Sequence, residues 1–293
     1  MKIIIFGVGG QDGYYLKKLY ESKGYEVSGV SRNMEKGIQG SVTDREFVYD
    51  IIRKKLPTHV VHLAANSTTH HRALFENHET ICTGTLNILE AVRLYNPLCK
   101  VFLSGSAMQF LNEGKPINEQ APFHAGSAYS VARIQSVYAA RYYREKVGLK
   151  VYTGYFFNHD SPLRGENHIN QKIVQAVQRI SNGSTERLEL GNIEVRKEFG
   201  FAGDIVNAIT FLLNQDEVYE AVIGTGKAYA IKSWAEKCFS KVGLLWEDFV
   251  DTKADFTPEY ELLVSNPELI MSLGWKPEVE IDELVDLMML TKI

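Results

Sequence analysis

The stretch Ile3-Ile-Ile-Phe-Gly-Val-Gly-Gly-Gln-Asp-Gly-Tyr-Tyr-Leu16 decides the fold. A run of β-branched residues stops at Gly7, Gly10 and Gly13 follow at spacings of three, and an amphipathic run begins. That is the order strand, tight turn, helix start. Glycines let the backbone approach a diphosphate closely, and the N–H groups and dipole of a helix N-terminus favour negative charge. Gly7, Gly10, Gln11, Asp12 and Gly13 are therefore expected to cradle a dinucleotide cofactor.

Working outward, apolar strand-like runs alternate with helical patterns. Strands are expected at Lys2–Phe6, Tyr25–Val30, His59–Leu63, Lys100–Leu103 and Lys150–Tyr155. Helices are expected near Asp12–Ser22, Arg45–Lys54, Ala73–Leu94, Tyr129–Lys146 and Asn170–Ile180, with Ile281–Leu290 closing the chain. This alternation predicts an α/β fold, a Rossmann-type parallel sheet doubly wound by helices, with ligands beyond the carboxyl ends of the strands. After about Asp160 the rhythm loosens at Pro162, Gly165 and Asn167, and a smaller C-terminal lobe covering the cleft is expected.

The second strand ends in Ser31-Arg32-Asn33, with no carboxylate before Glu35. An NAD site usually places an acid near this point. Ser31 and Arg32 suit a 2′-phosphate instead, so NADP(H) is favoured over NAD(H).

The 293 residues suffice for one large core with an attached lobe, and 45% hydrophobic with 23% charged content is ordinary for a globular chain. A net charge of −4 gives no reason to expect nucleic acid as a partner. No apolar run is long enough to span a bilayer, and no signal peptide precedes the first strand, so no membrane partner and a cytoplasmic location are expected. Cys82, Cys99 and Cys238 are scattered and odd in number, which points to reduced thiols. The histidines show no ligand spacing, and no metal is expected.

Tyr129 and Arg133 share one helical face at spacing four, behind the glycine-rich turn. A neighbouring cation favours phenolate and suits the tyrosine to proton transfer. Ser104, Gly105 and Ser106 follow the fourth strand, and Ser106 is expected to place a hydroxyl opposite Tyr129.

These features together resemble the extended short-chain dehydrogenases/reductases that modify nucleotide sugars, the NAD-dependent epimerase/dehydratase group. Within it the chain is most similar to GDP-mannose 4,6-dehydratases and GDP-4-keto-6-deoxy-mannose reductases. The resemblance rests on Gly10-Gln-Asp-Gly13 with Tyr15-Leu16, on His62-Leu-Ala-Ala65, and on Phe157-Asn-His-Asp-Ser-Pro162 with Arg164-Gly-Glu166 and Lys172-Ile173. Leu190-Gly-Asn192, Arg196-Lys-Glu-Phe199 and Leu273-Gly-Trp-Lys-Pro277 extend it. It implies a nucleotide-sugar substrate, with Leu63, Ala64 and Ala65 at the cofactor and Asn158, Arg164, Lys172 and Arg196 at the nucleotide and its phosphates. It also implies a dinucleotide-binding domain over 1–160. A lobe over 161–293, mainly nucleotide-sugar-binding, returns some segments to the first domain. A homodimer is implied through helices Ala73–Leu94 and Tyr129–Lys146, with Tyr138, Tyr142 and Tyr143 facing either a partner or the chain's own core.

The departures bear on the reaction. Where the dehydratases carry Ser-Thr-x-Glu, this chain aligns Ser106-Ala-Met-Gln109, placing Gln109 at the substrate in the glutamate's position; the tyrosine's lysine partner is Arg133. The loop Asn33–Gly40 is short, and the phosphate-binding arginine expected before Glu259–Glu261 is absent, with Phe256 or Thr257 near its place. A glutamine cannot shuttle a proton between C5 and C6 of a hexose. Three functions follow from the resemblance: a 4-keto reductase, which is favoured; a 4,6-dehydratase in which Asp160 or Glu166 takes over; and a binding protein without turnover.

Overall fold

The structure is a computed structural model that describes residues 1–33, 35, 37–253 and 256–290. The first half runs β1 (Lys2–Phe6), α1 (Gln11–Ser22), β2 (Glu26–Ser31), β3 (Ile38–Gln39), α2 (Arg45–Lys55), β4 (His59–His62), α3 (Leu74–Asn77), α4 (Gly84–Tyr95), β5 (Lys100–Ser106), α5 (Ala128–Tyr142) and β6 (Val151–Phe156). The second half runs β7 (His159–Asp160), α6 (Ile169–Ser181), β8 (Leu188–Leu190), β9 (Arg196–Glu198), β10 (Gly200–Phe201), α7 (Ala202–Leu213) and β11 (Glu220–Ile223). It ends with β12 (Ala228–Ala230), α8 (Ile231–Ser240), β13 (Val250–Thr252), β14 (Leu262–Leu263), α9 (Glu268–Ser272) and α10 (Ile281–Met289).

Seven parallel strands form the main sheet in the order β11-β6-β5-β4-β1-β2-β3. The direction of winding reverses between β1 and β4, and the cleft opens there, at the carboxyl ends. The alternation within β1 explains the layering. Ile3 and Ile5 meet Leu16 and Tyr20 of α1 and Ile205, Ile209 and Leu212 of α7. Ile4 and Phe6 meet Val48 and Ile52 of α2 and Ile88, Leu89 and Val92 of α4. Both faces are covered, which is why β1 reads as a continuous apolar run. A separate core of α6, α8 and α10 is built around Trp234, which stacks on Phe199 at 5.1 Å.

The glycine turn is sterically obligatory at two points. Gly7 has φ +95°, and a Cβ there would lie 2.6 Å from the Ala64 nitrogen. A Cβ on Gly13 would lie 2.3 Å from the Gly7 carbonyl oxygen, so α1 could not pack against β1.

The expected Ala73–Leu94 helix is interrupted. After α3 the chain makes a wide π-type stretch at His78–Thr83 before α4 begins. His62 on β4 explains it, since its Nε2 donates to the Thr80 carbonyl at 3.1 Å and draws it from the helical ladder. The expected Tyr129–Lys146 helix likewise ends in a π-type turn over Tyr143–Val147, closed by Gly148 in the left-handed region. Tyr143 packs inward, 8% exposed, and its hydroxyl donates to Glu90, whereas Tyr138 and Tyr142 are each 58% exposed. Among the described residues no helix is long and apolar enough to cross a membrane, and no acid, histidine and cysteine group suits a metal ion.

Candidate active site

Two adjoining cavities lie at the sheet's carboxyl edge. The larger, about 860 Å³, is lined by Gly7, Gly10, Gln11, Asp12, Gly13, Leu63, Ala65, Ser106, Tyr129, Arg133, Asn158 and Arg164. The smaller, about 560 Å³, shares Gly7, Gly10, Leu63 and Ala65, and adds Ser31, Arg32 and Ala64. Most of the residues singled out in the sequence are therefore brought together. No side chain caps the first turn of α1, which faces the larger cavity from Gly10 onward. An open helix N-terminus over a turn that presents glycines to the cavity fits a diphosphate.

Three residues fall elsewhere. Lys172 Nζ donates to the Glu189 carbonyl at 2.8 Å on the surface, and Arg196 reaches the Ala228 carbonyl at 3.3 Å on exposed β9. Neither lines the cleft. Gln109 is fully buried, and its Oε1 accepts from the Ser106 amide at 2.9 Å. The short 3₁₀ turn at Ala107–Gln109 aims Gln109 inward and Met108 at the cleft. The cleft wall after Ser106 is thus made by Ala107 and Met108, and Met108 is a position that periodicity alone did not single out. Of the acids suggested as replacements, Asp160 is buried between Arg164 and Asn170, and Glu166 is exposed outside the cleft lining.

Tyr129 is 7% exposed and enters the cleft from the first turn of α5, which Ser127 caps by accepting from the Ser130 amide. Arg133 Nε donates to the Tyr129 hydroxyl oxygen at 3.1 Å. With that oxygen occupied by an arginine donor, the tyrosine's own proton is available to another acceptor. Arg133 is 5% exposed, and its Nη1 donates to Ser104 Oγ at 2.9 Å and to the Ser104 carbonyl. Ser104 Oγ donates in turn to the His62 carbonyl at 3.1 Å. Burial, aided by Arg133, pushes His62 down to about 3, so it stays neutral beneath this chain.

Near the smaller cavity, Arg32 Nη1 lies 3.5 Å from Glu76 Oε1, and Asn66 Nδ2 donates to Glu76 Oε2 at 2.8 Å. Glu76 lines both cavities. Nothing in the sequence signals this contact, since it joins residues 44 positions apart. Across the cleft mouth Thr69 donates to Glu259 at 2.6 Å, a link spanning 190 positions.

Comparison with known proteins places the chain in a family. The family model described as GDP-mannose 4,6 dehydratase matches residues 4–288. GDP-mannose 4,6 dehydratase 1 of Arabidopsis thaliana is 34% identical over 97% of this chain and 88% of its own length. The human GDP-mannose 4,6 dehydratase is 30% identical over 96% and 88%. Among solved structures, Thermus thermophilus UDP-glucose 4-epimerase in complex with NAD superposes with a TM-score of 0.85 at 20% identity, covering 99% of this chain and 98% of that one. Pseudomonas aeruginosa RMD, complexed with NADPH, gives 0.87 at 19% identity, covering 98% and 97%. The fold is that of these enzymes, and the sequence match is closer to the dehydratases. With motifs matching from β1 to α10, the chain belongs to the GDP-mannose 4,6 dehydratase family, within the nucleotide-sugar-modifying short-chain dehydrogenases/reductases.

Proposed function

We propose that this chain binds NADP(H) and a GDP-sugar and catalyses hydride transfer at C4 of the sugar, in the direction of reducing a 4-keto group. The bound nicotinamide supplies the hydride. Gly7, Gly10 and Gly13 hold the diphosphate of the cofactor, Arg32 and Ser31 meet its 2′-phosphate, and Leu63 and Ala64 wall its adenosine end. Asn158 and Arg164 face the nucleotide sugar. Ser106 orients the C4 oxygen, and Tyr129 gives that oxygen a proton while Arg133 supports the charge left behind.

One observation carries the choice of reduction: the wall beyond Ser106 presents Ala107 and Met108, and no carboxylate. A 4,6-dehydration removes a proton at C5 and protonates the hydroxyl leaving C6, which needs a group that changes charge there. The described acids lining the larger cavity are Asp12, Glu76 and Glu259, and each is engaged, with His159, Arg32 and Thr69 respectively.

The second reading, a 4,6-dehydratase with a displaced acid/base, is favoured by the relatives, since those at 30–34% identity over nearly the whole chain carry that name. Incubation with GDP-mannose plus NADP⁺, and separately with a 4-keto-6-deoxy GDP-sugar plus NADPH, distinguishes them by product. The same reading pairs two copies through the α5 face carrying Tyr138 and Tyr142. Light scattering on the purified chain tests that dimer.

A further inference from the structure

The segment after β6 is tied to the start of α1 by buried polar contacts. Gln11 Nε2 donates to the His159 carbonyl at 3.4 Å, and Ser161 Oγ donates to Gln11 Oε1 at 2.9 Å. His159 itself is 8% exposed. Its Nδ1 lies 2.7 Å from the Phe157 carbonyl oxygen, and its Nε2 lies 2.9 Å from Asp12 Oδ1. A carbonyl oxygen only accepts, so Nδ1 bears a proton. An ionised carboxylate also only accepts, so Nε2 bears one too. Moving the second proton to Asp12 would place it on the weaker base. The ring therefore sits as an imidazolium.

We propose that His159 is a fixed cation that cancels the charge of Asp12 beneath the dinucleotide turn, and is the positioning residue through which cofactor affinity depends on pH. The inference rests on the cofactor reading above. Asp12 lies in the first turn of α1, and its side chain lines the cavity together with Gly7, Gly10 and Gly13. A bare carboxylate there opposes a diphosphate, and a paired one does not. The contact also holds the 156–164 segment, with Arg164, against the turn.

Burial works against both charges, yet the partners prevail. The charge and hydrogen bond of His159 hold Asp12 below the ordinary carboxylate range. The same contact holds His159 above the ordinary imidazole range. Arg164 and Asp160 stand beside the pair, with Arg164 Nε 3.1 Å from Asp160 Oδ1. His168 before α6 is pushed down to about 4, chiefly by burial. Lys197 on β9 is pushed down to about 8, also by burial. The sign follows from the raised histidine. Affinity is full below its folded pKa and is lost as pH rises through it. The neutral ring then keeps a single N–H and no longer cancels the charge of Asp12, whichever nitrogen holds the proton.

The test is a fluorescence titration of the full chain with NADH, which has no 2′-phosphate to titrate, carried from below the ordinary imidazole range up to the alkaline limit of the folded chain. The wild type is expected to lose about tenfold in affinity through one inflection. Asp12→Asn, whose amide can donate to a neutral ring, is expected to flatten the profile. His159→Gln, which keeps a donor without the charge, is expected to bind more weakly at neutral pH, also with a flat profile. A flat wild-type profile overturns the proposal. An inflection surviving in both variants overturns it too, and belongs to another group, such as Lys197. Failure to bind NADH or NADPH at any pH removes the cofactor reading, and this inference with it.

Discussion

Replacing Tyr129 by Phe removes one oxygen and separates two effects that the structure ties to it. The first is on stability. Arg133 Nε loses its acceptor at a site where the arginine is 5% exposed, while its Nη1 bonds to Ser104 remain. A lost hydrogen bond to a charged group costs about 1.5–3 kcal/mol, and the retained Ser104 contacts place this one at the lower end. Thermal unfolding is expected to shift down by only a few degrees. The second effect is on chemistry. A positioned proton donor contributes about 10²–10⁴-fold, and at 1.36 kcal/mol per decade that is about 3–5 kcal/mol of barrier. Single-turnover NADPH oxidation on a 4-keto GDP-sugar is therefore expected to fall far more than stability does, with NADPH affinity nearly intact. Arg133→Lys keeps a charge but loses the two-nitrogen bridge from Tyr129 to Ser104 and is expected to fall between wild type and Tyr129→Phe. A Tyr129→Phe rate within about threefold of wild type would refute the proton-transfer role of Tyr129.

Other perturbations reach separate parts of the structure. Arg32→Asp is expected to weaken NADPH by about 1.5–3 kcal/mol with little change for NADH. Glu76→Gln, which frees an exposed Arg32, is expected to raise the NADPH to NADH affinity ratio by only about two- to fivefold; equal changes for both cofactors count against the 2′-phosphate assignment. Gln109→Glu buries a carboxylate whose Oε1 would still meet the Ser106 amide, while its second oxygen takes the place of the buried Nε2 that has no hydrogen-bond partner, at a cost of about 3 kcal/mol or more, and is expected to bring no dehydration. Met108→Glu places the acid in the cleft and is expected to be the single change that yields traces of 4-keto-6-deoxy product; product from Gln109→Glu instead would contradict the observed orientation. Glu220 accepts from Arg141, Arg144 and Tyr155 at 2.6–2.9 Å and is lowered to about 2, although burial alone would raise it. Its contribution, about 3 kcal/mol, is complete above the unfolded value near 4.5 and disappears as pH falls from there toward 2. Glu220→Gln should therefore be less stable at neutral pH and lose less on acidification, as read by urea unfolding.

Much of this architecture was legible because local chemistry dictated it. The apolar runs of β1, β4 and β6 needed only their alternation to be read, and the turn at Gly7 and Gly13 needed only the close approach that forbids a Cβ. Tyr129 and Arg133 met because helical spacing put them on one face. What stayed hidden was set by distant partners. The π-type stretch at His78–Thr83 is drawn out by His62 on another strand, which no helical periodicity records. Gln109 turned inward because a single 3₁₀ turn rotates the wall so that Met108 faces the cleft. Asp12 and His159 stand 147 positions apart, and Arg32 meets Glu76 only because β2 and α3 flank the same cavity. Tyr143 shared the look of Tyr138 and Tyr142 in the sequence, yet the wider turn at the end of α5 carries it into the core against Glu90.

The most direct measurement is product analysis of the unmodified chain, by mass spectrometry and NMR, on two parallel reactions. With a 4-keto-6-deoxy GDP-sugar and NADPH, consumption of NADPH and a C4 alcohol are expected, while GDP-mannose with NADP⁺ is returned unchanged. A 4-keto-6-deoxy sugar formed from GDP-mannose, with no reduction in the other vessel, would contradict C4 reduction and establish the dehydratase reading in its place.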